Sequence, residues 1–165
     1  MDKKQNRTNN LESFLIDSSI LVSTFSQKES KERRAIAARV IGQGVGKASI
    51  TQQNIVEFTN TMLYSLKSQN PKAILEIIND LQSVFKIFQY SKEGVAQALE
   101  LAIDYKIDFN DALIAQTMLD NKIAVIYTEN TKNFAKVPGI KAINPFTVKR
   151  LKSSRIGVPV RSKKK

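Results

Sequence analysis

Three acidic residues stand where the surrounding sequence is apolar, and they are the first candidates for chemistry. Asp17 interrupts the apolar run SFLIDSSILVSTF, Glu57 lies between Val56 and Phe58, and Asp111 opens the segment DALIAQTM. The chain has no cysteine and no histidine, which excludes disulfides, thiolate or imidazole metal sites and any nucleophile paired with histidine. Catalysis must therefore use carboxylates, hydroxyls, amines or a hard metal ion bound by oxygen.

Each acidic residue also has an ordinary structural interpretation. Asp17 is equally well placed to cap a helix that begins near Ile20, a common role for aspartate. Glu57 is typical of a glutamate favoured by the helix dipole near a helix start. Asp108 and Asp111 together resemble a capping pair at the beginning of a helix. Residue type alone leaves both interpretations open.

The elements that must position these residues alternate between strands and helices. Strands are predicted at 14–16, 47–51, 85–88, 123–128 and 140–144. Helices are predicted at 28–41, from the cap Thr51 through Leu66, from Pro71 through Leu81, from Ser91 through Ile103, and at 109–120. Glycines at 42, 44 and 46 are expected to end the first helix. This alternation predicts a three-layer α/β/α sandwich with a central, mainly parallel sheet.

Apolar residues recur at helical spacing in four of these helices and are predicted to face the core. They are Ile55, Phe58, Met62, Leu63 and Leu66; Ile74, Leu75, Ile78 and Leu81; Val95, Leu99, Ala102 and Ile103; and Ala112, Leu113 and Leu119.

A parallel sheet gathers functional side chains at the carboxyl ends of its strands. We therefore expect Asp17, Glu57 and Asp111 at one edge of the sheet. Carboxylates brought together repel each other unless a cation offsets their charge, and oxygen ligands favour Mg²⁺ or Mn²⁺. The pattern predicts a metal site.

The segment GQGVGKAS, residues 42–49, superficially resembles a phosphate-binding glycine loop. A P-loop has four residues between its first glycine and the Gly-Lys pair, whereas this segment has three. The segment also follows a predicted helix and precedes a strand, the reverse of the order in phosphate loops. We interpret it as a helix-ending loop, so a nucleotide-binding α/β enzyme is the least supported function.

The positive charge of the chain is concentrated near its C-terminus. The formal net charge is +11, and eight basic residues with no acidic residue lie from Thr147 onward, which leaves +3 for the rest. Among them, Lys149, Arg150, Lys152 and Arg155 are candidates for phosphate contacts with RNA, although a solvated, disordered tail explains the same composition. No apolar run approaches the roughly 18 residues of a membrane span, which predicts a cytoplasmic protein with no membrane partner.

Three stretches of the chain together resemble the PIN domain family. FLIDSSIL is similar to the family's strand ending in Asp-Ser-Ser, and FNDALIAQTM is similar to its Asp-Ala-Leu-Ile helix. VIYTENTKNF, followed by IKAINPF, resembles its Thr-x-Asn element and closing strand. The resemblance covers roughly residues 14–146 and implies a PIN-like fold, most like the VapC-type toxins of prokaryotic toxin–antitoxin pairs. We expect a flexible extension at 1–12, the domain at 13–146 and a basic tail at 147–165.

The resemblance implies a role for each candidate residue. Asp17, Glu57 and Asp111 match the family's three acidic ligand positions, while Ser19 and Thr128 match its small polar positions beside the site.

The chain departs from the fullest family pattern at the fourth acidic position. Asn130 stands there, and Asn133 stands where another acid is frequent. Both changes remove negative charge and put a second metal ion in doubt. Glu129 and Asp108 are the candidates to compensate.

The implied activity is hydrolysis of RNA phosphodiester bonds by a water that one Mg²⁺ or Mn²⁺ activates. Asp17 and Asp111 would hold the ion, and Glu57 would bind it or take the proton of the water. The resemblance further implies a homodimer and an antitoxin protein that holds the enzyme inactive. The alternative, which Asn130 keeps open, is an inactive PIN-fold module that binds RNA or a protein without cleaving.

Overall fold

A five-stranded parallel sheet forms the centre of the molecule. The computed structural model describes residues 13–67 and 70–147. The strands lie in the order β3-β2-β1-β4-β5, and each neighbouring pair is parallel. They are β1 (Phe14–Ile16), β2 (Ala48–Thr51), β3 (Lys86–Phe88), β4 (Val125–Tyr127) and β5 (Lys141–Ile143). All five predicted strands are present, each within two residues of its predicted ends.

Seven α-helices connect these strands in the part of the chain that the structure describes. They are α1 (Ser18–Phe25), α2 (Lys31–Gly44), α3 (Gln52–Asn60), α4 (Pro71–Val84), α5 (Gly94–Tyr105), α6 (Phe109–Asp120) and α7 (Thr131–Phe134). A π-helical turn, Thr61–Ser65, follows α3 where a continuous α-helix was predicted. Within the described ranges, no helix is long and apolar enough to cross a bilayer. The predicted α/β/α sandwich with a central parallel sheet is confirmed.

Hydrophobic clusters cover both faces of the sheet. Successive strand residues point to opposite faces, so Phe14 and Ile16 belong to a cluster that includes residues of α1 to α4. Leu15 and Ile126 belong to the other cluster, which includes residues of α5 and α6. β1 is therefore buried on both faces, and Asp17, which follows it, emerges from the centre of the sheet.

The predicted helix starts at Thr51, Pro71 and Asp108 agree with the structure. The Thr51 side chain accepts a hydrogen bond from Asn54 N, and Pro71 is the first residue of α4. Asp108 Oδ1 accepts from Asn110 N at 2.8 Å.

The prediction that glycines end the first helix is correct at Gly44 and wrong at Gly42. α2 begins at Lys31 and ends at Gly44, so Gly42 lies inside it. Gly44 is buried against Ala48 and Phe85, where an added Cβ would lie 2.7 Å from the Ala48 Cβ. Close packing of the helix on β2 therefore explains this glycine. The turn into β2 falls at Gly46, whose φ is +79°.

The predicted buried faces of three helices are partly wrong. On α5, Val95, Leu99 and Ile103 are 42%, 53% and 66% exposed, because the helix packs through the buried Gly94 and Ala98 instead. The small residues allow α5 to approach α6 closely. Exposed positions also include Leu75 of α4 and Leu119 of α6.

Candidate active site

Asp17 lies at the carboxyl end of β1 and is almost fully buried, with 5% of its surface exposed. Its backbone N–H donates to Tyr127 O at 3.0 Å, which continues the pairing of β1 with β4. Asp17 occupies the N-cap position of α1, but its side chain makes no capping hydrogen bond. Helix capping therefore does not explain this carboxylate.

Neutral side chains surround the Asp17 carboxylate instead. Oδ2 accepts hydrogen bonds from Ser19 Oγ and Thr128 Oγ1, each at 2.7 Å. Oδ1 accepts from Asn54 Nδ2 at 3.1 Å and from Ser18 Oγ at 3.4 Å. The structure thus places the candidates Ser19 and Thr128 directly against Asp17.

Asn54 is a site residue that the sequence reasoning missed. It is fully buried, and its Oδ1 accepts from Thr51 N and Thr51 Oγ1 at 3.0 and 2.7 Å. Its amide nitrogen is thereby oriented toward Asp17. The spacing Thr-x-x-Asn at the helix start was a signal for the cap, but nothing local indicated the contact with Asp17.

Glu57 lies in the middle of α3 and shares a donor with Asp17. Its Oε2 accepts from Ser18 Oγ at 2.8 Å, so the Ser18 hydroxyl stands between the two carboxylates. Its Oε1 accepts from Gln53 Nε2 at 3.2 Å. Gln53 Nε2 also donates to Asn110 Oδ1 at 3.1 Å, which links α3 to the start of α6.

Asp111 lies in the first turn of α6 and faces two amides. Its Oδ2 accepts from Asn130 Nδ2 and from Asn133 Nδ2, each at 2.6 Å. The two asparagines that replace acidic residues of the fuller pattern therefore bind the third carboxylate. Asp108 does not share this arrangement, because its side chain caps α6 and is exposed.

The site carries negative charge that no nearby cation offsets. Burial raises the pKa values of both Glu57 and Asp111, and the charge of Asp17 raises both further, while hydrogen bonds from their neutral neighbours act in the opposite direction. Among the residues with described positions, no lysine or arginine forms an ion pair with Asp17, Glu57 or Asp111. Such a site attracts positive ions.

Glu129 is engaged elsewhere. Its Oε1 lies 2.6 Å from Arg33 Nη2, and the Arg33 guanidinium also pairs with Glu29 at 3.1 Å and stacks 3.8 Å from the ring centroid of Phe146. The backbone N–H of Glu129 donates to Ser19 Oγ at 3.1 Å. The Glu129 side chain is therefore held by α2 and forms no hydrogen bond with the three acids.

The donor types at this site suit a hard divalent cation. Carboxylate, hydroxyl and amide oxygens are the ligands that Mg²⁺ and Mn²⁺ prefer, and the negative charge is uncompensated. In residues 13–67 and 70–147, however, no three acidic side chains form a group ready to hold a metal. The residues therefore fit such an ion in ligand type and charge. In this structure, however, their carboxylates accept hydrogen bonds from neutral side chains.

The four basic residues predicted to contact RNA, Lys149, Arg150, Lys152 and Arg155, lie outside the described residues. Near the end of the described range, Phe146 stacks against the Arg33 guanidinium.

Comparison with known proteins agrees with this fold. The PIN domain family model matches residues 14–140. No curated protein matches the sequence significantly.

Solved structures with the same fold include three from bacterial toxin–antitoxin systems. A toxin–antitoxin complex from Klebsiella pneumoniae is 23% identical, with a TM-score of 0.61, and the match covers 81% of this chain and 98% of that one. VapBC-1 from nontypeable Haemophilus influenzae is 19% identical, with a TM-score of 0.60 and the same coverage. Mycobacterium tuberculosis VapC20, described as a toxin that cleaves the sarcin–ricin loop, is 16% identical, with a TM-score of 0.63 and coverage of 74% and 94%.

Proposed function

This chain belongs to the PIN domain family, and from that premise we propose that it is a metal-dependent endoribonuclease that hydrolyses RNA phosphodiester bonds. The observation that carries the proposal is the uncompensated negative charge of Asp17, Glu57 and Asp111 at the carboxyl edge of the sheet. A buried carboxylate that caps no helix and pairs with no lysine or arginine lowers the stability of the folded protein. This cost supports a role for Asp17 in function.

The proposed roles combine the acidic positions of the family with the contacts of each side chain. Asp17 and Asp111 hold Mg²⁺ or Mn²⁺, and Glu57 holds it or accepts a proton from the attacking water at one of its Oε atoms. The ion, when bound, supplies a lower water pKa and stabilises negative charge on the phosphate. Ser19 and Thr128 fix the orientation of the Asp17 carboxylate. A raised pKa suits Glu57 to proton acceptance near neutral pH.

Cleavage of RNA by the purified chain tests this proposal. We expect cleavage with Mn²⁺ or Mg²⁺ and none with chelator, and Asp17→Asn should lower the rate at least about a hundredfold. Asp80→Asn, which changes an exposed aspartate on α4, is the matched control and should cleave normally. Cleavage that survives both chelation and Asp17→Asn would contradict the metal mechanism.

A catalytically inactive RNA- or protein-binding module is the second candidate. The contacts of Asn130 and Asn133 with Asp111 favour it, because these amides supply no negative charge to a second ion. RNA binding without cleavage under any divalent ion would favour the module.

We further propose that the chain is the toxin of a toxin–antitoxin pair, acts in the cytoplasm, and forms a homodimer. The similarity of its fold to the toxin–antitoxin structures supports this. Expression of the wild-type chain should arrest growth, Asp17→Asn should not, and a partner encoded beside it should restore growth. Light scattering of the purified chain measures the oligomeric state, and a monomer at all concentrations would contradict the homodimer.

The basic C-terminal residues, including Lys149, Arg150, Lys152 and Arg155, are proposed to contact RNA phosphates. A chain that ends at Thr147 lacks eight positive charges. Its RNA affinity should be lower and should vary less steeply with salt concentration. An unchanged salt dependence would indicate that these residues do not contact RNA.

A further inference from the structure

A cavity lies at the edge of the sheet opposite the acidic site. It is formed where β1, β2 and β3 begin and by the segment before β4, and its volume is about 440 Å³. Strands of three or four residues lie between the cavity and the carboxyl edge that carries the three acids. Their length is roughly 10 Å. The volume is within the range of small-molecule pockets. The lining residues that matter here are Ser13, Lys47, Ser49, Lys86 and Phe88.

Two lysines give this cavity positive charge. Within the described residues, neither Lys47 nor Lys86 forms an ion pair with an acidic side chain. The Lys86 ammonium lies 4.5 Å from the ring centroid of Phe88, and the Lys47 ammonium lies 5.6 Å from that of Phe14. These cation–π contacts hold the side chains against the sheet. Both lysines thus line the cavity, and no acidic side chain of the described residues neutralises either of them.

Ser49 provides a second, independent observation. It is 5% exposed and lines the cavity, and it pairs with Lys86 across β2 and β3. Its hydroxyl forms no hydrogen bond with any described residue. Buried hydroxyls are nearly always paired, and an unpaired one is costly. A ligand in the cavity would supply the missing partner.

We propose that this cavity binds a small phosphorylated molecule. The two lysines match the charge of a phosphate monoester dianion, whose oxygens accept hydrogen bonds from ammonium and hydroxyl groups. A cavity of this volume accommodates a ligand the size of a mononucleotide. The site uses Gly46, Lys47 and Ser49 from the end of the segment GQGVGKAS, but it is not a P-loop, because a helix precedes these residues and a strand follows them.

Calorimetric titration of the full chain tests the proposal. The probes are inorganic phosphate, adenosine 5′-monophosphate, adenosine and a short single-stranded RNA. We expect the monophosphate to bind and adenosine not to bind. Lys47→Gln and Lys86→Gln should each weaken binding about tenfold or more, because each removes a charged contact. Lys72→Gln, which removes the same charge from an exposed position on α4, should bind normally.

Ser49→Ala separates a ligand contact from a structural role. The hydroxyl has no hydrogen bond to lose in the described structure, so the ligand-free variant should be at least as thermally stable as the wild type. Its affinity for the monophosphate should fall about tenfold or more, the loss expected for one hydrogen bond to a charged acceptor.

Equal binding by the wild type and both lysine variants would overturn the proposal, as would failure of phosphate and the monophosphate to bind. RNA binding that weakens in these variants while neither small probe binds would assign the lysines to RNA instead, and would also overturn it. None of these measurements uses ribonuclease activity, so their outcome is independent of the proposed function.

Discussion

Groups from three separate elements hold the Asp17 carboxylate. Ser19 belongs to α1, Asn54 to α3, and Thr128 follows β4. Each of these donors has a second contact: Ser19 accepts from Glu129 N, Thr128 accepts from Asn130 N, and Asn54 binds Thr51. The carboxylate is therefore oriented before any ligand arrives, which reduces the cost of binding.

Asn54→Ala tests the contribution of this network to stability. The variant loses the donor to Asp17 and one half of the capping box with Thr51. Because both partners are buried, we expect a loss of about 2 kcal/mol in the free energy of unfolding, measured by urea denaturation. Asn79→Ala changes an exposed asparagine on α4 and should leave stability nearly unchanged. Equal stabilities of the two variants would show that the Asn54 contacts contribute little.

Glu57→Gln should reveal a pH-dependent cost of the acidic site. The folded-state pKa of Glu57 is raised above its ordinary value of 4.5. At pH values between the two, the folded protein therefore binds more protons than the unfolded chain. The Glu57 contribution to stability is therefore favourable at low pH and is lost as pH rises through the raised pKa. In chelator, the variant should melt higher than the wild type at neutral pH, and the difference should vanish below about pH 4.5.

Adding Mn²⁺ completes this test. If the ion binds the carboxylates, it should raise the melting temperature of the wild type more than that of Glu57→Gln. Equal shifts in the two proteins would place the ion elsewhere.

For individual residues of the site, the sequence predicted their place in the fold better than it predicted their side-chain contacts. The order of strands and helices was enough to predict that Asp17, Glu57 and Asp111 share one edge of the sheet, because parallel strands end together. The hydrogen bonds from Asn54 and Asn133 could not be predicted. They depend on side-chain distances between elements that lie 37 and 22 positions apart along the chain.

Two glycines of α2 offer a matched comparison at the level of the helix. An added Cβ at Gly44 would lie 2.7 Å from the Ala48 Cβ and 3.2 Å from Ile16 Cδ1, whereas one at Gly42 would meet nothing within 4 Å. We expect Gly44→Ala to lower the free energy of unfolding by about 1–3 kcal/mol through overpacking. Gly42→Ala should raise it by about 0.5–1 kcal/mol, because alanine favours the helix. Thermal and urea unfolding measure both, and a stable Gly44→Ala would show that α2 can shift away from β2.

Helix faces were harder to predict than helix positions. Periodicity identified α5, but it assigned Val95, Leu99 and Ile103 to the core, whereas these residues are exposed. The helix instead packs through Gly94 and Ala98, and small residues carry little signal in an apolar pattern. Gly44 ends α2 as predicted, but the close packing of the helix against Ala48, which requires a glycine there, could not be predicted from the local sequence.

Arg33 connects three parts of the whole molecule. It extends from α2 to Glu129 after β4 and to Phe146 after β5. Glu129 in turn donates its backbone N–H to Ser19, a partner of Asp17. These contacts join α2 to the loop that carries Thr128 and Asn130. They therefore stabilise the position of this loop beside the three acidic residues.

A double-mutant cycle with Arg33→Gln and Glu129→Gln measures this link. Both side chains are about one third exposed, so we expect a coupling free energy of about 0.5–1 kcal/mol at low salt. The coupling should weaken in 1 M salt because screening increases. Additive effects of the two substitutions would indicate that the ion pair contributes no stability.

The central position of β1 has a consequence for the timing of synthesis. The set of donors around the Asp17 carboxylate is completed by Thr128, which lies 111 positions later in the chain. At about 5–20 residues per second, ribosomes need roughly 6–22 s to make the intervening segment. During that interval the nascent chain carries Asp17 without its β4 neighbour and without Thr128. The acidic site is therefore assembled late, and a chain whose translation stops before β4 cannot form it.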